Sequence, residues 1–454
     1  MKHATPTLAA LFGLMWLSPL SAQFNPVAIA PMMEYREAHA LAPVANGMLA
    51  VGGFDGSTTT AACEWYDPAS DVWTSVASLP EPRQDATAHG VADAVFVIGG
   101  WNGGSTNYDD ILRYDAAGDT WSAVATLSHG RSGHRSVATS EGILICGGYD
   151  GSADLASCDL FNTTTYDVTP VADMATARSS FAMMHYEQEG SEFTLVAGGF
   201  NPAEGFQLAS CEIFDGTSWS AAADLPWAVD NLAGTVTYGG IAPIVSGGRI
   251  FNGAANLFEG IAQGALYDAG MDAWSVFDLQ APHSYHGMAS SESPSSHIWI
   301  TGGAHETGNG VTTTFSYAEE GILESMAPVI PFTSITDPME CAGRFRAAAA
   351  SNGEWLYVTG GDESYIGTGY KINLGISNGL LSAPTAGNLS AFPNPCVGRS
   401  VLIGADDGTG WEVYDKSGRR VLTGTGPRLE LSMVSAGAYT LRTADGRTVN
   451  LIRK

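Results

Sequence analysis

Five arginines recur at corresponding points along this chain: Arg36, Arg83, Arg131, Arg178 and, more loosely, Arg344. Cations are scarce, with 20 Lys and Arg against 47 Asp and Glu in 454 residues. Half of the ten that lie between residues 23 and 375 stand in this one register. A guanidinium offers a planar fork of donors that grips carboxylates or sulfates in bidentate fashion. The same group can instead pair with an acidic neighbour and brace its own loop, and both readings fit the spacing. Histidines accompany the arginines: His39, His89, His134 and His185, with His283 and His286 flanking a later matching point. A His-x-x-His pair can ligate a metal, but no third ligand is identifiable, so no metal or other cofactor is expected. The candidate ligand-binding set is therefore Arg36, Arg83, Arg131, Arg178, Arg344, His39 and His134. No catalytic set emerges. A Gly-x-Ser-x-Gly elbow is missing, as is an Asp-x-Asp-x-Asp calcium loop.

These residues sit in a repeat. An apolar run ending in Gly-Gly occurs seven times, closing at Gly53, Gly100, Gly148, Gly199, Gly248, Gly303 and Gly361. The intervals are 47, 48, 51, 49, 55 and 58 residues. After it comes an aromatic-acid pair (Tyr66-Asp67, Tyr114-Asp115, Phe214-Asp215, Tyr267-Asp268), softened to Phe161-Asn162 in one unit. A Trp follows at 73, 121, 219 and 274, and in the first two units an Arg stands ten residues further on. Apolar runs of four to six residues suit strands buried on both faces. Paired glycines permit a sharp turn and close backbone approach. Large flat rings can fill the wedge between neighbouring sheets. One unit thus predicts one four-stranded antiparallel sheet, which must stack with its copies to bury both faces.

Gly-Gly, Tyr-Asp and Trp at these offsets, in a period of this length, resemble the kelch repeat. The resemblance covers roughly residues 23–375 and implies an all-β fold, a kelch-type β-propeller. The sixth and seventh units lack the Trp, which leaves the count at seven blades or six. It further implies that the repeated arginines lie at one mouth of the central channel, where kelch domains bind ligands. The segment Phe24–Pro31 matches Trp73–Pro80 in aromatic, Val, Ala and Pro positions. The N-terminal segment is therefore expected to complete the last sheet and remove an exposed edge.

The flanks read differently. Residues 1–22 have a short polar start, an apolar run from Leu8 to Leu17 and the small pair Ser21-Ala22, the pattern of a signal peptide. No later apolar run is long enough to span a bilayer. Residues 376–390 read as a linker. Residues 391–454 alternate short strands with Asp-Gly, Ser-Gly and Ala-Gly turns, predicting a small β-sandwich-like domain. Phe392-Pro-Asn-Pro395, Tyr414–Val421 and Ser435–Arg442, before the basic end Arg453-Lys454, resemble the C-terminal sorting domain of the type IX secretion system. That resemblance implies recognition by outer-membrane secretion machinery, and release or attachment at the cell surface. Of the six cysteines, Cys63, Cys158 and Cys211 hold equivalent places and are expected as core residues. Cys146 and Cys158 can face each other across one hairpin, in a compartment that permits disulfides.

The net charge of −27 excludes a nucleic-acid partner and disfavours anionic membranes. The expectation is an exported binding or adhesion protein without enzymatic activity, taking an extracellular protein or glycan at the channel mouth. The alternative is a secreted carbohydrate-active kelch enzyme of oxidase or sugar-isomerase type.

Overall fold

A computed structural model describes residues 27–237 without a break. It continues over 242–253, 256–290, 296–301, 303–306, 312–314, 317–323, 333–336, 346–352, 355–361 and 369–373, and over shorter segments between 390 and 453. The leader 1–22, Arg344, Cys341, Cys396 and the linker up to residue 389 lie outside the described residues.

Seven antiparallel sheets succeed one another among the described residues, six of four strands and one of five. The first sheet sets the pattern: Ala40–Val44, Gly47–Val51, Cys63–Asp67 and Val72–Val76 pair in sequence order. The second (Thr87–Thr126), third (Arg135–Val171) and fourth (Ala182–Ala222) repeat it. The fifth carries the long strands Leu257–Asp268 and Ala273–His283, with Arg249–Asn252 paired to the former. The sixth is built from Gly287–Ser290, Ser296–Thr301, Tyr317–Leu323 and Thr333–Thr336. The seventh orders Ala348–Ser351, Trp355–Thr359 and Gly369–Asn373, and its fourth strand is Val27–Ile29, paired Val27 to Lys371 and Ile29 to Gly369. The last sheet is thus assembled from both ends of residues 27–373, the pairing that the match of Phe24–Pro31 to Trp73–Pro80 predicts. The third, sixth and seventh units, which lack the Trp, still form sheets.

In each unit the Gly-Gly run is the second strand, and in the first two sheets every residue of Gly47–Val51 and Ala94–Ile98 is buried. Among the described residues, seven apolar clusters lie between sheets rather than within them. Val51 and Leu49 of the first sheet, for instance, pack with Val95 and Leu112 of the second. Ile29 and Tyr357 of the seventh pack with Met48 and Tyr66 of the first. Burying several aliphatic side chains per seam, each worth about 1.5–3 kcal/mol, is what makes a single sheet dependent on its neighbours.

The aromatic-acid and Trp signature clasps these seams. Trp121 Nε1 donates to the Ala77 carbonyl of the preceding sheet at 2.7 Å, while Ala77 N–H donates to Asp119 at 2.7 Å. Asp119 also accepts from the Tyr114 hydroxyl at 2.8 Å. Trp274, Tyr267 and Asp272 hold Ala223 in the same way. Trp73, Tyr66 and Asp71 hold Ala30, which follows the N-terminal strand of the seventh sheet. The rings of each Tyr and Trp lie 5.0–5.1 Å apart. Cys146 and Cys158 stand opposite each other and are disulfide-bonded, whereas Cys63 and Cys211 are buried free thiols. Cys158 is therefore a bonded member of the third sheet, not a bare core thiol like its two counterparts.

The C-terminal region contains two further sheets. One joins Ser390–Phe392, Arg399–Ile403 and Arg428–Glu430; the other joins Arg420–Thr425, Gly410–Tyr414, Gly437–Thr443 and Thr448–Arg453. Among the described residues no helix is long and apolar enough to cross a membrane.

Candidate functional site

The four described arginines of the repeat do not face a ligand. Arg36, Arg83, Arg131 and Arg178 are at most 1% exposed. Each donates to the carbonyl of the first glycine of its own sheet's Gly-Gly pair, Gly52, Gly99, Gly147 or Gly198, at 2.8–3.1 Å. Each also meets a carboxylate of the third strand: Glu64, Asp110, Asp159 or Glu212. Glu212 in turn accepts the N–H groups of Ala175 and Thr176. The backbone of the same arginines ties sheet to sheet, since Gly53 N–H donates to the Arg83 carbonyl at 2.8 Å and Gly361 N–H to that of Arg36 at 2.9 Å. Bracing is the role the geometry gives these four, and capture of an external anion by them is corrected accordingly. The terminal nitrogens of all four are engaged within the protein, and the unpartnered Nε atoms of Arg36 and Arg83 are buried, so none of the four offers a donor to a ligand. Arg344 lies outside the described residues.

Two residues beyond each arginine position the chain enters the left-handed region. Ala38, Asp85, Gly133, Ser180, Asn231, Tyr285 and Arg346 have φ between 52° and 62°. Non-glycine residues rarely adopt this conformation, yet six of these seven are not glycine. Backbone bonds between sheets hold it. Asp85 N–H donates to the Ala38 carbonyl, Ser180 to Gly133, Asn231 to Ser180, Tyr285 to Asn231, and Ala38 to Arg346, at 2.9–3.2 Å.

These seven residues, one before each sheet, line a single cavity of about 510 Å³. Its wall is polar and charged. Arg346 pairs with Asp85. Arg249 donates to the buried Asp230 at 2.7 Å, its guanidinium lying over the rings of Phe258 and Tyr285. Among the described residues, Arg135 lines the cavity with one hydrogen bond, to the His134 carbonyl at 3.1 Å, and makes no carboxylate contact within 4 Å. Burial works against its charge, and the nearby Asp85 offsets part of that effect.

The histidines divide. His39, His134 and His286 sit three residues past the arginine position and line the cavity. Each is tied by Nε2 to a hydroxyl of the preceding sheet: Thr359 at 2.8 Å, Thr87 at 3.0 Å and Ser246 at 2.7 Å. Their Nδ1 atoms are buried without a partner. Burial holds all three well below the ordinary histidine pKa, and Arg36 and Arg131 add to this at His39 and His134. His89 bonds Ser136 at 2.7 Å and is pushed down to about 4 by burial. His185 meets Thr194 and Glu192 within its own sheet. The rings of His283 and His286 lie 5.6 Å apart. No cluster of three metal-ligating groups occurs among the described residues. Sequence reasoning thus found His39 and His134 but missed Arg135, Asn231, Tyr285, Arg249 and Arg346. For Asn231, Tyr285 and Arg346 the signal was positional, two residues past the arginine register, while their residue types vary; Arg135 and Arg249 share no such offset and carried no local signal.

The repeat can now be compared with known proteins. The model of the kelch motif matches residues 36–80 and 82–128, the two units in which every element of the signature is present. Residues 36–128 carry two kelch motifs. Human Kelch-like protein 35 is 38% identical over 85 residues, which is 19% of this chain and 15% of that protein. Human Kelch-like protein 23 is 31% identical over 83 residues, 18% of this chain and 15% of that protein. The chain therefore spans a small part of these relatives. The solved structure of YjhT superimposes with a TM-score of 0.52 at 15% identity, covering 67% of this chain and 99% of that one. That likeness speaks to fold alone, and the four-stranded sheets are consistent with kelch blades.

Proposed function

We propose that this kelch-repeat chain is an exported binding or adhesion protein whose repeats close into a seven-bladed propeller with a ligand-binding mouth. The observation that carries the reading is the cavity to which all seven sheets contribute the same register. Closure is supported by the shared seventh sheet, and by contact of each first strand with the next, including Ala348–Ser351 with Ala40–Val44. Arg135 supplies a cation whose donors are nearly all open to an incoming group, in a wall where the other charges are paired. An extracellular protein segment or glycan is the ligand class proposed.

Export is supported by the signal-peptide pattern of residues 1–22 and by the tail motifs that resemble a type IX sorting domain. The Cys146–Cys158 bond fits an oxidising compartment. Residues 376–454 hold nine Lys and Arg against six Asp and Glu, so a mildly basic tail follows an acidic body and suits separate recognition by secretion machinery.

The test is a screen of the purified chain against immobilised extracellular proteins and glycans, comparing wild type with Arg135→Ala. Saturable binding that weakens about tenfold or more without change in Tm supports the mouth as the binding face. Binding indifferent to Arg135→Ala contradicts it.

A further inference from the structure

We infer that the occupant of the mouth is a saccharide, stacked on an aromatic strip that runs outward from the cavity over the fourth and fifth sheets. The inference rests on the mouth being the binding face. Tyr285 and Arg249 line the cavity, and the Arg249 guanidinium lies 4.1 Å from the centroid of Phe258. From Phe258 the rings continue to Phe251 at 5.3 Å, to Phe206 at 6.3 Å and to Phe200 at 5.9 Å. Phe206 is 49% and Phe251 41% exposed. The strip is contiguous, its successive rings tilted by 37–59°, with Phe206 and Phe251 exposed and its inner end at the polar wall.

Phe206 is held there against its own backbone preference, at φ 84°, where a bulky residue is an outlier. Its hairpin, Phe200–Asn201 with Phe206–Gln207, replaces the shorter turns that follow Gly53, Gly100 and Gly148. The extra chain places one more exposed ring beside the mouth, not in a core.

The chemistry on both sides of the strip suits a sugar chain. A pyranose has a face of C–H bonds that stacks on an aromatic ring, and a rim of hydroxyls that needs planar and hydroxyl partners. The rings supply the first. Ser179, Asn231 and the free donors of Arg135 in the cavity wall supply the second. An acidic peptide fits less well, because a body of this negative charge repels it on approach. A neutral saccharide meets no such barrier.

The experiment titrates the whole purified chain with short oligomers of glucose, N-acetylglucosamine, mannose and galacturonic acid, and separately with a library of extended peptides. Wild type is compared with Phe206→Ala, Phe251→Ala, Arg135→Ala and, as a distant exposed control, Met271→Ala. The expected result is saturable binding of at least one oligosaccharide, about tenfold weaker for each Phe variant, as for the loss of a stacking contact. Met271→Ala should bind as wild type, and all Tm values should agree. Oligosaccharide binding that Arg135→Ala weakens but the Phe variants leave unchanged overturns the strip and keeps the mouth. Capture of peptides with no oligosaccharide bound overturns the saccharide and keeps the mouth. Binding that none of the variants alters, or no binding of either probe, overturns both.

Discussion

At the scale of single residues, the chain separates groups that brace from groups that face the cavity, although both carry the same charge. Arg131 and Asp159 are fully buried together, and breaking such a pair leaves an unpaired buried charge. Arg131→Ala should cost about 3–5 kcal/mol, read as a drop in Tm, whereas Arg135→Ala should leave Tm unchanged. Equal effects at the two positions would contradict the division. The repeated arginines were legible in the sequence, and so was the possibility that they brace. What decided between the readings was the position of the first glycine carbonyl and a third-strand carboxylate, each distant in sequence and carried by no local motif. The histidines add a pH dependence. An unfolded histidine takes up its proton at about pH 6.5, while burial holds His39, His134 and His286 lower and His89 at about 4. The unfolded state therefore binds more protons in this window, so stability is complete above about pH 6.5 and falls as pH drops toward 4. Thermal melts across that range should show Tm declining, less steeply in His89→Gln; a flat profile would refute the assignment.

At the scale of elements, the unit of construction is the seam between sheets. Trp121 and Trp73 each donate one hydrogen bond to an alanine carbonyl of the sheet before, Ala77 and Ala30. Removing that donor with Phe should cost about 1 kcal/mol in either case. Similar losses, measured by denaturant unfolding, would show that the seam joining the seventh sheet to the first is held like an internal one. A loss at Trp121 alone would show that it is not. The glycine pairs set the same seams. A Cβ on Gly52 would lie 2.3 Å from the Arg83 carbonyl at a φ of 60°, so Gly52→Ala has no room and the wrong backbone preference. Strand runs and turns were readable because period and glycine placement are local. After residue 390 the expected alternation of short runs and turns is met by strands such as Arg399–Ile403, Gly410–Tyr414 and Gly437–Thr443. The left-handed residues before each sheet were not readable. Their types run from Asn and Gly to Tyr and Arg, because bonds from the neighbouring sheet, not intrinsic preference, fix the conformation.

At the scale of the whole molecule, both ends of residues 27–373 meet in one sheet, so the N-terminal strand is expected to matter to every seam. Deleting residues 23–35 removes Val27–Ile29, the Ala30 clasp and Met32 of the seam cluster. The whole unfolding transition should shift down as one cooperative step; unchanged melting would refute the shared closure. Export predicts a secreted product beginning near Gln23 and lacking the strands after residue 390, a mass that intact-protein spectrometry reads directly. The retained full-length mass would count against the sorting role of the tail. The central claim is that function resides where one register of seven sheets meets. Hydrogen–deuterium exchange of the full chain, with and without its tightest-bound oligosaccharide or peptide, tests it most directly. The account predicts slowed exchange around Ala38, Asp85, Gly133, Ser180, Asn231, Tyr285 and Arg346, with the outer strands such as Val72–Val76 unchanged. Protection confined to the outer strands, or to the strands between 390 and 453, would contradict it.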